Sequence, residues 1–111
     1  MGLFRRKSRL DPALVGCWHL VRAEAELDAG ENVDMAFRPD GTLQYSIDAG
    51  EKWQIIRLTY HEAQGELVTD QPSAPREERT PYAFDADGLL ILGPPGERSW
   101  YRRGLARAPA F

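Results

Sequence analysis

The stretch Met35-Ala36-Phe37-Arg38-Pro39-Asp40-Gly41-Thr42-Leu43-Gln44-Tyr45-Ser46-Ile47 decides the fold of this chain. On both sides of Pro39-Asp40-Gly41 the large apolar residues fall at every second position. Val33, Met35 and Phe37 precede the turn, and Leu43, Tyr45 and Ile47 follow it. A period of two places such residues on one face of an extended strand. Proline fixes φ early in the turn and glycine is free to take φ > 0 later, so the two strands fold back as an antiparallel hairpin. Gln44, Ser46 and Asp48 occupy the opposite, polar face.

The same rhythm extends in both directions. Asp11-Pro12 reads as an N-cap followed by proline, giving one N-terminal helical turn. A first strand is expected over residues 15–27, a turn over 28–31 and a second strand over 33–38. The strand from Trp53 to His61 alternates Ile56, Leu58 and Tyr60 against Arg57, Thr59 and His61. Gln64-Gly65 turns into a strand carrying Leu67 and Thr69. Residues 70–76 hold two prolines and read as a loop. Thr80, Tyr82 and Phe84 then share a face, Asp87-Gly88 turns the chain, Leu90 and Leu92 point inward, and Gly93-Pro94-Pro95-Gly96 leads to Ser99, Tyr101 and Arg103. Eight short strands joined by hairpin-length turns predict an all-β, antiparallel up-and-down barrel, with a two-sheet sandwich as the alternative. Glycine or proline interrupts every segment long enough to be a substantial helix, which excludes a helical protein. The expected division is a basic arm over 1–10, a barrel domain over 11–104 and a loose tail over 105–111.

Composition narrows the function classes. The chain has 111 residues, 42% hydrophobic and 28% charged, which suits one folded domain. No apolar run exceeds the four residues Leu89 to Leu92, whereas a spanning helix needs about 20. A soluble protein without stable membrane insertion is expected. One cysteine makes no internal disulfide. Leu14-Val15-Gly16-Cys17 has the look of a lipoprotein cleavage site behind Arg5, Arg6, Lys7 and Arg9, but Asp11 and Pro12 interrupt a segment already too short for an apolar signal core. Cytoplasmic residence is the expectation. The two ends, residues 1–9 and 98–111, hold four basic residues each and no acidic one, while the body between them holds 17 acidic against six basic. So acidic a body repels phosphate backbones, and nucleic-acid binding is not expected. Phe4-Arg5-Arg6-Lys7 reads either as a contact for an anionic surface or acidic partner, or as a solvated terminus.

A short turn followed by Gly16-Cys17-Trp18 at the head of the first long strand resembles the G-x-W opening of lipocalin and calycin barrels. The run from Met35 to Leu43 is similar to the second hairpin of small bacterial lipocalin-like domains. In that family an arginine near the end of the last strand packs over the tryptophan, and Arg103 matches it by alternation with Tyr101. The resemblance implies a short lipocalin-like barrel closed by Gly16, Trp18 and Arg103, and a small, often apolar ligand. The chain is shorter than a secreted lipocalin and lacks paired cysteines, which points away from secreted retinoid- or pheromone-type transport.

Alternation puts all four tyrosines (Tyr45, Tyr60, Tyr82 and Tyr101) on the inner face. A buried phenol needs a hydrogen-bond partner, so the interior is amphipathic. A partial cavity is expected near Tyr60 and Tyr82, at the end away from Trp18 and beside the loop 71–79. The candidate ligand-binding residues are Tyr60, Thr69, Gln71, Arg76, Glu78, Arg79 and Tyr82, with Arg76 or Arg79 forking onto a carboxylate. The competing readings are a filled core and mutual Arg–Glu pairing on a solvated rim. Cys17 and His19 face outward, and the zinc-ligand spacings are absent, so no metal or other cofactor is expected. No nucleophile elbow, phosphate loop or dinucleotide fingerprint occurs, so the chain reads as non-catalytic, with Glu78 and the tyrosines as the least-favoured enzymatic alternative. The two leading functions are a non-catalytic binder of a small apolar or amphipathic molecule, and an interaction module forming a homodimer through an exposed Trp53 or Trp100.

Overall fold

A computed structural model describes residues 9–24, 32–48 and 50–104. The greater part of the basic arm, the turn at 28–31 and the tail 105–111 lie outside the described residues. The elements are β1 (Gly16–Ala23), β2 (Asn32–Phe37), β3 (Thr42–Asp48), β4 (Trp53–Ala63), β5 (Glu66–Asp70), β6 (Glu78–Phe84), β7 (Leu90–Leu92) and β8 (Ser99–Gly104). Each pairs antiparallel with its sequence neighbours, and β8 pairs back onto β1, closing a barrel in the order β1-β2-β3-β4-β5-β6-β7-β8. Closure leaves no sheet ending in a wholly unpaired strand, which separates this fold from a sandwich.

The 35–47 segment forms its hairpin through the turn chemistry its sequence carries. The Arg38 carbonyl accepts from the Gly41 N–H at 3.1 Å, and the Asp40 carboxylate accepts from the Thr42 N–H at 3.0 Å and its hydroxyl at 2.7 Å. Gly41 sits at φ 93°, a conformation that side chains with a Cβ resist. Those bonds from Thr42 hold the Asp40 carboxyl below its ordinary range. Across the strands Phe37 faces Leu43 and Met35 faces Tyr45, both pairs on the inner face.

Three local features bear on the expectations. β1 is described as far as Ala23, Glu24 is a bend, and residues 25–27 of the expected first strand lie outside the described residues. The expected single N-terminal turn is present, and it does not extend into a helix among the described residues. Pro12–Leu14 is a turn in which the Asp11 carbonyl accepts from the Leu14 N–H at 2.9 Å and the Asp11 carboxylate caps the Ala13 N–H at 3.0 Å. Trp100 faces outward, as alternation requires, yet it is buried. A register shift between Leu20 and Arg22 sets Arg22 opposite Trp100, and the guanidinium lies 3.9 Å from the ring centroid, with Arg98 at 5.4 Å. It is therefore not an exposed anchor. Trp53 is half-buried.

The core lies along the inner face, where Leu14, Trp18, Phe37, Leu43, Tyr60 and Leu90 are among its most buried members. The outer face of β2 and β3 also buries Asp34, Gln44 and Ser46, and His19 Nδ1 lies 2.7 Å from Asp34 Oδ1 across β1 and β2. Among the described residues no helix is long and apolar enough to cross a membrane, and no group of His, Cys, Asp or Glu is arranged to hold a metal ion.

Candidate functional site

The two ends of the barrel are built differently. At one end lie the turns β2–β3, β4–β5 and β6–β7, and residues 9–15 cross that end as a strap. Arg9 and Glu62 exchange backbone hydrogen bonds at 3.2 and 2.6 Å, and their side chains pair at 3.1 Å. Leu14 is wholly buried, and its carbonyl accepts from the Trp18 indole N–H at 2.9 Å. Arg103 lies with its guanidinium carbon 4.2 Å from the Trp18 ring centroid and donates to the Val15 and Ala13 carbonyls, both at 2.7 Å. Gly16 has φ 132°, and a Cβ there would stand 2.5 Å from an Arg103 nitrogen. Only glycine leaves room for that guanidinium.

Tyr60 and Tyr82 belong to this plugged end. The Tyr60 hydroxyl donates to the Arg38 carbonyl at 2.7 Å, and its ring meets Phe37 edge-on at 4.9 Å. The Tyr82 hydroxyl donates to Asp11 at 2.6 Å, and Phe84 joins it to Trp18 through ring contacts at 6.0 and 5.9 Å. Burial raises both phenol pKa values, and for Tyr82 the bond to the Asp11 carboxylate adds to it. Neither hydroxyl is left for a ligand. The expectation that they lie away from Trp18, beside the loop 71–79, is corrected: they lie at the Trp18 end, and the loop stands at the other.

At that other end lie the loops β3–β4, β5–β6 and β7–β8. Of the inward residues here, Leu20, Tyr45, Ile47, Ile56 and Leu58 are half-buried, while Val33 and Leu92 are buried. Tyr101 is buried, and its hydroxyl is hydrogen-bonded to Tyr45 and lies 3.5 Å from Ser99 Oγ. Burial pushes the Tyr101 phenol up to about 12, and Tyr45 contributes to the rise. The line of hydroxyls Ser99, Tyr101, Tyr45 thus runs inward from the rim.

A cleft of about 480 Å³ opens beside this line, bordered by Thr80, Leu92 and Ser99 together with Arg79, Pro94 and Glu97. Its origin is the shortness of β7. Pairing between β6 and β7 begins at Tyr82, so residues 78–81 of β6 have no β7 partner. A last bond from the Gly93 N–H to the Pro81 carbonyl at 2.9 Å ends the ladder. Beyond it Pro94 and Pro95 lack the N–H a further rung requires. A second recess of about 340 Å³ lies between Ile55, Ile56 and Arg57 of β4 and Gln71, Pro72 and Ser73.

The remaining candidates line this open rim. Thr69 stands opposite Glu78, and Gln71 bonds Ser73 at 3.4 Å within the loop. Arg76 pairs with Glu78 at 3.3 Å, while Arg79 reaches Glu66 at 3.6 Å and Glu77 at 3.9 Å. The rim arginines therefore face carboxylates of their own chain. A stronger contact pins the β7–β8 loop. The Glu24 carboxylate accepts from the Gly96 N–H at 2.9 Å, the Arg98 N–H at 2.8 Å and the Arg98 guanidinium at 2.9 and 3.2 Å. The Arg98 side-chain bonds, with the backbone bonds beside them, lower the Glu24 carboxyl to about 2.

The structure thus brings Thr69, Gln71, Arg76, Glu78 and Arg79 to one end and leaves Tyr60 and Tyr82 at the other. Sequence reasoning placed Tyr45 and Tyr101 on the inner face and Ser99 beside Tyr101, but did not select these three as site residues. The alternation Ser99-x-Tyr101 carried a signal for two of them, but nothing in the sequence pairs Glu24 with Arg98. No family model, curated protein or solved structure matches this chain.

Proposed function

We propose that this barrel is a lipocalin-like, non-catalytic module that takes a small apolar or amphipathic molecule through its open end. The observation that carries this reading is the gradient along the inner face. Leu14, Trp18, Phe37 and Tyr60 at the strap end are buried, whereas Leu20, Tyr45, Ile47, Ile56 and Leu58 at the open end keep some exposure, and a separate cleft of about 480 Å³ opens at that same end between Thr80, Leu92 and Ser99. Ligand sites of this kind combine apolar walls with a few convergent polar groups. The Gly16, Trp18 and Arg103 closure supports the lipocalin-like assignment, and hydroxyls held neutral at physiological pH suit recognition better than acid–base chemistry.

Titration with Nile red, a neutral fluorophore that brightens in apolar surroundings, tests the reading. Saturable 1:1 binding is expected, and it should be lost in Ile47→Trp, which fills the open half. Binding that survives this substitution, or no binding to the parent protein, would sink the proposal.

Self-association is supported by a different observation. Residues 53–58 of β4 extend beyond the β4–β5 ladder, which begins at Thr59. An edge of this kind pairs readily with another strand. Sedimentation velocity across a concentration series should then show a dimer that Ile55→Lys abolishes; a monomer at every concentration removes this reading.

A further inference from the structure

Resting on the binding reading above, we infer that the open end selects an uncharged hydrogen-bonding ligand and rejects the corresponding carboxylate. Alternation and register assign the inward set of the open half among the described residues, including Gln54 opposite Ile47. It contains Ser99, Tyr101, Tyr45, Thr69 and Thr80 as polar groups, Glu78 at the lip, and no lysine, arginine or histidine among the described residues. Arg103, the inward-facing cation of β8, lies at the plugged end with two of its donors held by the Ala13 and Val15 carbonyls.

A carboxylate drawn into such a space loses water and gains no counter-charge, which is the costly arrangement. The rim does not compensate. Arg76, Arg79 and Arg98 each already face a carboxylate, and Glu97 stands on the border of the cleft. Lys52 lies exposed to solvent on the β3–β4 turn and is not part of the inward set. An alcohol, ketone or amide meets the opposite situation. Ser99 and Tyr101 each donate and accept, so a neutral polar end exchanges water for protein hydrogen bonds without stranding a charge.

The discriminating pair is decanamide against decanoate, equal in chain length and different in charge, measured by displacement of Nile red at pH 7.5. Decanamide should bind about tenfold or more tightly than decanoate, the charge being uncompensated. Tyr101→Phe should weaken decanamide roughly three- to tenfold and leave decanoate nearly unchanged. Ser99→Ala, a smaller perturbation, serves the same purpose should Tyr101→Phe fail to fold. Decanoate binding as tightly as decanamide, or more so, overturns this inference and leaves the binding function standing. Failure of both to displace a bound probe overturns the inference too, while Nile red failing to bind at all removes the binding function itself.

Discussion

The plugged and open ends of the barrel are made by the same eight strands with the same inward alternation, yet they do different work. At the plugged end the Tyr60 and Tyr82 hydroxyls, the Trp18 indole N–H and the Arg103 guanidinium all meet partners, four of the five being backbone carbonyls. At the open end the hydroxyls of Ser99, Tyr101 and Tyr45 meet one another, which leaves capacity to accept and donate further. What separates the two is the strap of residues 9–15. Alternation produces an apolar interior; whether that interior becomes a core or a cavity depends on what crosses its end.

Trp18→Ala should break the contrast most severely. Removing a fully buried tryptophan costs about 3–5 kcal/mol, a large share of the stability of a domain this size, and both ends should unfold together in a urea titration. Gly16→Ala comes next, because the positive φ and the Arg103 contact act at once; about 1–3 kcal/mol is expected. Arg103→Ala relieves part of that clash, so the double variant should lose less than the sum of the two singles, with simple additivity counting against the contact. Tyr101→Phe acts at the other end and should cost only about 1 kcal/mol. With its folded pKa raised to about 12 from 10, the Tyr101 phenol contributes stability that is full below pH 10 and disappears as pH rises toward 12. The difference between parent and Tyr101→Phe should narrow across that window. The smallest effect belongs to Glu24→Gln on the solvated rim. The Glu24 carboxyl is lowered from 4.5 to about 2, so its contribution is full above pH 4.5 and is lost as pH falls through 2. Melting curves of parent and variant should converge over that interval, and a gap of constant size would remove the clamp.

The sequence made the architecture legible because turn chemistry and period-two alternation are local signals. Pro39-Asp40-Gly41 and Gln64-Gly65 punctuate the chain where the sheet turns, and the four tyrosines fall on the face that alternation assigns. The height of each residue along the barrel was not legible. Alternation states which face Tyr60 occupies; strand stagger, a property of all eight strands together, decides which end its hydroxyl reaches. Trp100 failed for a related reason. Outward was read as exposed, whereas a register shift of one residue in β1 brings Arg22 over the ring. The cleft beside Ser99 depends on β7 stopping at Leu92, and the turn residues Gly93-Pro94-Pro95-Gly96 show in retrospect why it must.

The seam between β1 and β8 also has a kinetic consequence. Seven of the ladders join neighbouring strands, but this one pairs Cys17 with Gly104 and so must bring together nearly opposite ends of the barrel sequence. Closing so long a loop is slow in comparison with zipping a hairpin. During synthesis the meander up to β7 can assemble while Trp18 still lacks the arginine that covers it. Loop-closure entropy therefore favours forming this pairing last, and a chain interrupted before β8 leaves that side of its first strand unpaired.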